Sequence, residues 1–247
     1  MITLYHGEPN LYSLKPLIAL EEKGVPFDRK PIGLMPLERA VPGYPAAMEQ
    51  RINVEREGPV LIDGDAMIVG SFFLLEYIAE TEGGVPLLPD DPLARYHVRS
   101  IGQTIAGLIA PFVSAIGVAA YPVPELADDT GIEPVERRES WAAAARGAAA
   151  DGLADRLRPT LARFDGMLAG SEWLVGDYSI ADIDLFAMIR NLPDLAPGLI
   201  DGGDTPSLDA FVARMAARPA VQRALALAWG GDAARTFLPG PEISRWG

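Results

Sequence analysis

The sequence predicts a chain in two parts, a small α/β unit followed by an all-helical one. Three observations predict it. Residues 2–81 run strand, helix, strand, an irregular link, then strand, strand, helix. Residues 82–92 (EGGVPLLPDDP) concentrate Gly, Pro and Asp, the mark of a break between folded units. Beyond them the patterned segments carry helical spacing. The resulting division is residues 1–82 as the first domain, 83–92 as the linker and 93–247 as the helical domain.

Each element has its own reason. Ile2 to Tyr5 alternate β-branched and bulky residues and run into Gly7 and Pro9, a short strand and a loop. Ser13 is placed to cap a helix that carries Leu14, Leu17 and Ile18 on one face and stops at Lys23-Gly24. Pro16 falls in its first turn, where a missing N–H does little harm. Phe27 to Ile32 reads as a second strand, held to the sheet edge by Pro31. A β-α-β order implies that these two strands are parallel. Gly33 to Glu57 shows no period and is broken by Pro36, Pro42 and Pro45. Pro59 to Ile62 and Ala66 to Val69 read as a hairpin turning at Asp63-Gly64. Ser71 is placed to cap the next helix, with Leu74, Leu75 and Ile78 on one face. In the second part, Ala142 to Leu168 is rich in Ala and Arg, a helix-forming composition. Ser179-Ile180-Ala181-Asp182 is a capping box, with Tyr178 and Ile183 as its hydrophobic staple. Ser207 opens a helix that stops before Pro219.

Composition narrows the chemistry. The chain has 247 residues, 49% of them hydrophobic and 22% charged, enough to bury a core without disulfides or metals. There is no cysteine, so thiolate metal sites and protein thiol nucleophiles are excluded. Two histidines, His6 and His97, exclude a multi-His metal site. The formal charge of −13 repels phosphate backbones and anionic lipids, so neither nucleic acid nor membrane is an expected partner. Ser100 to Pro124 carries no charge, but Gln103, Thr104, three glycines and Pro111 dilute it. It reads as a helix buried in a soluble domain rather than a membrane span. The N-terminus lacks the basic and apolar regions of a signal peptide, and the expected location is the cytoplasm.

Gly7-Glu8-Pro9-Asn10-Leu11-Tyr12-Ser13, Leu20-Glu21-Glu22-Lys23-Gly24-Val25-Pro26-Phe27, Gly58-Pro59-Val60-Leu61, Gly70-Ser71, Leu174 to Asp182 (LVGDYSIAD) and Arg218-Pro219-Ala220-Val221 follow one another along the chain. This ordered set of local motifs resembles the glutathione transferase family. The resemblance implies a thioredoxin-like N-terminal domain that binds glutathione and an all-α C-terminal domain that lines the acceptor site. It also implies a homodimer. Ser13 to Gly24 (SLKPLIALEEKG) and Val113 to Gly117 (VSAIG) are similar to bacterial glutathione-dependent β-etherases, which cleave lignin-derived aryl ethers. Two positions depart from the family's pattern. Asn53 to Pro59 (NVEREGP) stands where the family usually has Asn-Pro-x-Gly-x-Val-Pro. Gly70 stands where it usually has Glu or Gln, a side chain that helps hold the γ-glutamyl end of glutathione.

The resemblance assigns candidate roles. A free thiol titrates near 8.5, and lowering it by about two units takes roughly 2.7 kcal/mol. A hydroxyl donor and the positive end of a helix supply this together. Ser13 is the first candidate, Tyr12 the adjacent rival and Asn10 a third donor; the competing reading of Ser13 is a plain helix cap. Tyr5 reads as core. Glutathione is the expected cofactor, held by Gly58, Pro59, Gly70, Ser71 and Arg56. Pro59 would present the Gly58 backbone to the cysteinyl part, and Ser71 would take the γ-glutamyl carboxylate at a helix start. Ile109, Phe112, Ile116 and Trp141 are the expected lining for a hydrophobic aromatic substrate, with Met35 at the rim; core packing is their competing reading. His97 reads as a surface or core residue. The implied reaction is thiolate attack on an electrophilic carbon, with release of a phenol if the β-etherase similarity carries over. The alternatives are conjugation, dehalogenation or isomerisation with glutathione, or a non-catalytic ligand-binding protein.

Overall fold

The computed structural model describes residues 1–6, 11–31, 59–120 and 152–227. The irregular link, the Ala-rich run at 142–150 and the tail after Trp229 lie outside these residues. The chain opens with β1 (Ile2–His6), α1 (Leu14–Lys23) and β2 (Phe27–Pro31), followed by β3 (Val60–Asp63), β4 (Ala66–Val69) and α2 (Ser71–Thr81). The four strands form one mixed sheet in the order β2-β1-β3-β4. β1 and β2 are parallel, with Leu4 opposite Arg29, as the intervening helix requires. β3 runs antiparallel to both β1 and β4. Pro31 therefore sits on an edge strand, where its missing N–H breaks no ladder.

Three local expectations are corrected. The hairpin pairs Asp63 with Ala66, so the turn is Gly64-Asp65, with Gly64 at φ +57° supplying the left-handed residue. Ser13 precedes α1 with helical dihedrals and makes no capping bond to its own helix. Gly70, at φ +86°, is the residue before α2, and Ser71 is its first helical residue. In neither case does the serine hydroxyl cap the helix that starts there.

The helical half contains α3 (Pro92–Leu108), α4 (Ala110–Ala120), α5 (Leu153–Leu168), α6 (Ile180–Ile189), α7 (Leu192–Leu195), α8 (Pro206–Ala216) and α9 (Pro219–Leu225). The uncharged stretch from Ser100 is therefore not one buried helix: it breaks at Ile109, between α3 and α4, and exposes Gln103, Ala106 and Leu108. Among the described residues no helix is long and apolar enough to cross a membrane. α3 starts at Asp91, whose Oδ2 accepts from the Ala94 N–H at 2.7 Å, with Pro92 just inside. Every residue of α6 is buried, which makes it the axis of the helical half. Its capping box forms as the sequence predicts. The Ser179 N–H donates to Asp182 Oδ2 at 2.9 Å, and the Leu174 N–H donates to Oδ1 at 2.9 Å.

The two halves share one core. α1 packs against α2, α6 and α9, and Leu14, Leu17, Ile18 and Leu20 are fully buried. Polar contacts reinforce the seam. Glu22 accepts from Arg218 at 2.6 and 3.1 Å and from the Tyr178 hydroxyl at 2.9 Å. The Arg218 guanidinium lies 3.8 Å from the Tyr178 ring centroid. Burial, with Glu22 beside it, pushes the Tyr178 phenol far above its ordinary range, so it remains a donor. Glu22→Gln keeps the shape but turns a donating amide toward one of these donors. It is expected to cost about 1–2 kcal/mol, read from the urea unfolding midpoint.

Candidate functional site

The site begins where β1 hands over to α1. Ser13 is fully buried at the N-terminal end of α1, the end that carries the helix's partial positive charge. Tyr12, half-buried, packs against the core. The Lys15 ammonium lies 5.2 Å from the centroid of its ring. The entry to α1 thus carries an aromatic ring, a hydroxyl and a cation in sequence, at Tyr12, Ser13 and Lys15.

Lys15 ties this turn to a second helix start. Its Nζ donates to Ser71 Oγ at 3.2 Å, across 56 residues of sequence. Ser71 is half-buried in the first turn of α2, where backbone N–H groups have no intrahelical acceptor. The other side of Lys15 meets Asp184 Oδ1 at 2.7 Å, with the two side chains 5% and 2% exposed. The contact is a close approach of charges rather than an aligned hydrogen bond. Burial pushes the Asp184 carboxyl up, and the Lys15 charge opposes that shift. Ser71 and the first turn of α1 therefore converge through one cation, which a carboxylate of the helical half partners.

The other sequence candidates divide. Pro59 is buried immediately before β3. Gly70 adopts its positive φ beside Phe73, whose ring a Cβ would meet at 2.9 Å. Asn10, Arg56, Gly58, Met35 and Trp141 lie outside the described residues. Ile109 and Ile116 are 0% and 5% exposed and belong to the core, which matches their competing reading. Phe112 keeps partial exposure, with the Arg156 guanidinium 5.4 Å from its ring centroid. His97 is exposed and edge-on to Tyr96. It lines a groove of about 310 Å³ between α3 and α5, with Ser100, Thr104, Arg163 and Met167, and neither Ser13 nor Ser71 is among the lining residues.

Sequence reasoning missed Lys15 and Asp184 as members of this constellation. Each carried a signal. Lys15 is one of three lysines and falls on the apolar side of its helix, and Asp184 is a second acid inside an otherwise apolar helix. A buried charge of one sign calls for a partner of the other.

Known proteins share this fold. Residues 140–226 match the family model "Glutathione S-transferase, C-terminal domain". The chain is 28% identical over 243 residues to Protein LigF of Sphingobium sp., covering 90% of this chain and 91% of that protein. The crystal structure of β-etherase LigF superposes with a TM-score of 0.76 at 25% identity, over 91% of this chain and 98% of that one. A probable maleylacetoacetate isomerase of Vibrio cholerae is 27% identical over 175 residues, covering 70% of this chain and 73% of that protein. A Pseudomonas putida glutathione transferase, crystallised with glutathione disulfide, has the same fold at a TM-score of 0.71 and 24% identity, over 92% of this chain and 91% of that one.

Proposed function

We infer, from this chain's similarity to glutathione transferases, that it is a glutathione-dependent transferase acting on a hydrophobic aromatic substrate. One observation carries the reading: two serines that leave their own helix ends uncapped, Ser13 and Ser71, stand at adjacent helix N-termini joined by Lys15. That arrangement fits glutathione, which needs a donor for its sulfur and a positive helix end for its γ-glutamyl carboxylate. When bound, glutathione supplies the nucleophile: a C–S bond forms at carbon as the leaving group departs with its electron pair.

The chain's own residues prepare that step. The Ser13 hydroxyl donates toward the sulfur, and the N-terminal end of α1 favours negative charge there. Tyr12 is adjacent as a second donor, and Asn10 is a third by sequence. Ser71 and the first-turn N–H groups of α2 hold the far carboxylate, with Pro59 beside the middle of the tripeptide and, by sequence alone, Gly58 and Arg56 as further contacts. Phe112 contributes to the aromatic acceptor site, with Trp141 by sequence. Holding two reactants in register supplies much of the rate.

The similarity to LigF supports a finer reading, cleavage of β-aryl ethers of lignin-derived ketones. There the carbon next to the ketone takes the sulfur, the C–O bond breaks, and the phenolate leaves and takes a proton from water. Purified protein with glutathione should release a phenol from such a ketone, read by chromatography; no release across a panel of aryl ethers sinks this reading. The similarity to a probable maleylacetoacetate isomerase favours a second reading, glutathione-dependent isomerisation, which would consume no glutathione in the same assay.

Ser13→Ala tests the thiol-activating role. Loss of one charge-assisted donor is worth roughly 1.5–3 kcal/mol, so kcat/KM at neutral pH is expected to fall about 10–100-fold. The thiol of bound glutathione should titrate at least about one unit higher, read from thiolate absorbance against pH. An unchanged titration would move the role to Tyr12. We further read the protein as a cytoplasmic homodimer. Phe73 on α2 and Leu93 and Tyr96 on α3 are each more than 60% exposed, an apolar surface suited to a second copy. Light scattering at a dimer mass is the expected result.

A further inference from the structure

We propose that Lys15 is a positioning residue for the glutathione carboxylate, acting through Ser71, and that Asp184 of the helical half holds it in place. The inference rests on the glutathione reading above and goes beyond it.

The argument is one of donors and acceptors. An ammonium has only protons to give, whereas a serine hydroxyl has one proton and two lone pairs. Lys15 Nζ donates into Ser71 Oγ at 3.2 Å, which fills one lone pair. The single Ser71 proton is thereby turned away from Lys15 and left for an acceptor in front of α2. An anion there meets that O–H, the free N–H groups of the first turn and the nearby positive charge of Lys15. A carboxylate is the matching chemistry, because it accepts several such bonds at once.

A buried ion pair is a costly way to fill space, and apolar residues of similar size commonly do so at no loss of stability. Lys15 and Asp184 are nevertheless almost fully buried, and the ammonium's further contact is a hydroxyl on a half-buried helix end. Asp184 lies on α6, while Lys15 and Ser71 lie on α1 and α2. The grip on the carboxylate is thus referred to the helical half. Without Asp184 the ammonium loses its anionic partner and the freedom of its long side chain returns.

Calorimetric titration separates the possibilities. Wild-type protein is titrated with glutathione and with the analogue in which the γ-glutamyl α-carboxylate is an amide. Wild type should bind glutathione at least tenfold tighter than the amide. Lys15→Met should weaken glutathione at least tenfold and bind the two ligands within about threefold of each other. Lys15→Arg, which keeps a donor and a charge, should recover most of the preference. In steady-state assays with an aryl-ether ketone, KM for glutathione should rise in Lys15→Met while kcat at saturation stays within about threefold, the mark of lost ground-state binding.

Lys15→Met leaves Asp184 buried alone and is at risk of unfolding, so the double variant Lys15→Met/Asp184→Leu removes both charges together. A folded double variant that still fails to discriminate the two ligands supports the positioning role. A double variant that regains wild-type affinity and preference overturns it, because the pair is then structural only. Wild-type protein that binds no glutathione overturns the functional reading and this inference with it. Wild-type binding with Lys15→Met unchanged overturns this inference alone.

Discussion

Asp182→Ala is expected to lower the unfolding free energy by about 3–4 kcal/mol. The carboxylate is fully buried and accepts from the Leu174 N–H, the Ser179 N–H and the Ser179 hydroxyl at 2.9, 2.9 and 3.2 Å. Truncation strands donors that water cannot reach, each worth about 1–3 kcal/mol, and removes the Asp182 half of the capping box of the central helix. For a chain of this size the melting temperature should drop by roughly 6–16 °C, read by calorimetry. Burial also pushes the Asp182 carboxyl up to about 6, against the opposing pull of its donors. At pH 7 it is still mainly ionised and serves as an acceptor. In the unfolded chain it titrates near 4. Between those values the folded chain binds the additional proton. This group's contribution to stability therefore grows as pH falls from 6 toward 4, and is lost as pH rises through 6. The difference in unfolding free energy between wild type and Asp182→Asn, followed by urea titration, should increase toward pH 4. A difference that instead shrinks on acidification would contradict the raised value.

Gly84→Ala is expected to cost about 3 kcal/mol, from two separate sources. Gly84 adopts φ +90°, a conformation that L side chains rarely take. A Cβ there would also collide with the Lys23 carbonyl oxygen and stand 3.1 Å from its carbon. Those are backbone atoms, and they have little room to retreat. The end of α1 is fixed by the Gly24 N–H donating to the Leu20 carbonyl at 3.0 Å. The Lys23 ammonium is fixed to the carbonyls of Ala79 and Glu82 at 3.1 and 2.8 Å. Gly83 provides the control: a Cβ there meets nothing within 4 Å, and Gly83→Ala should stay within about 0.5 kcal/mol of wild type. Urea unfolding of the pair measures both; equal midpoints would refute the close approach at Gly84.

How much of this was legible in the sequence depended on whether the signal was local. The capping box at Ser179–Asp182, the β-α-β order and the edge role of Pro31 are set within a few residues, and each appears as the sequence predicts. Ser13 and Ser71 were legible as hydroxyls at helix starts, but not that both leave their own helix uncapped. That depends on backbone dihedrals at the helix entry, which Ser leaves open and Gly70 fixes only after folding. The break at Ile109 was missed because an uncharged run gives no contrast between faces, so periodicity is silent there. The Lys15–Ser71–Asp184 convergence joins three elements far apart in sequence. No pattern along the chain carries such a contact; only the mismatch of a charge on an apolar face hints at it.

The seam around α1 has a consequence for recombination. Lys15, Glu21 and Glu22 on this one helix reach Asp184, Arg223 and Arg218, all supplied by the second half of the chain. A chimera that joins the sheet half of this protein to a helical half without these three residues leaves α1 without its partners. Lys15 and Glu22, the buried members, would then be left as unmatched charges. The unit that can be transplanted is therefore not a half-chain cut at residues 83–92, but α1 together with α6 and α9.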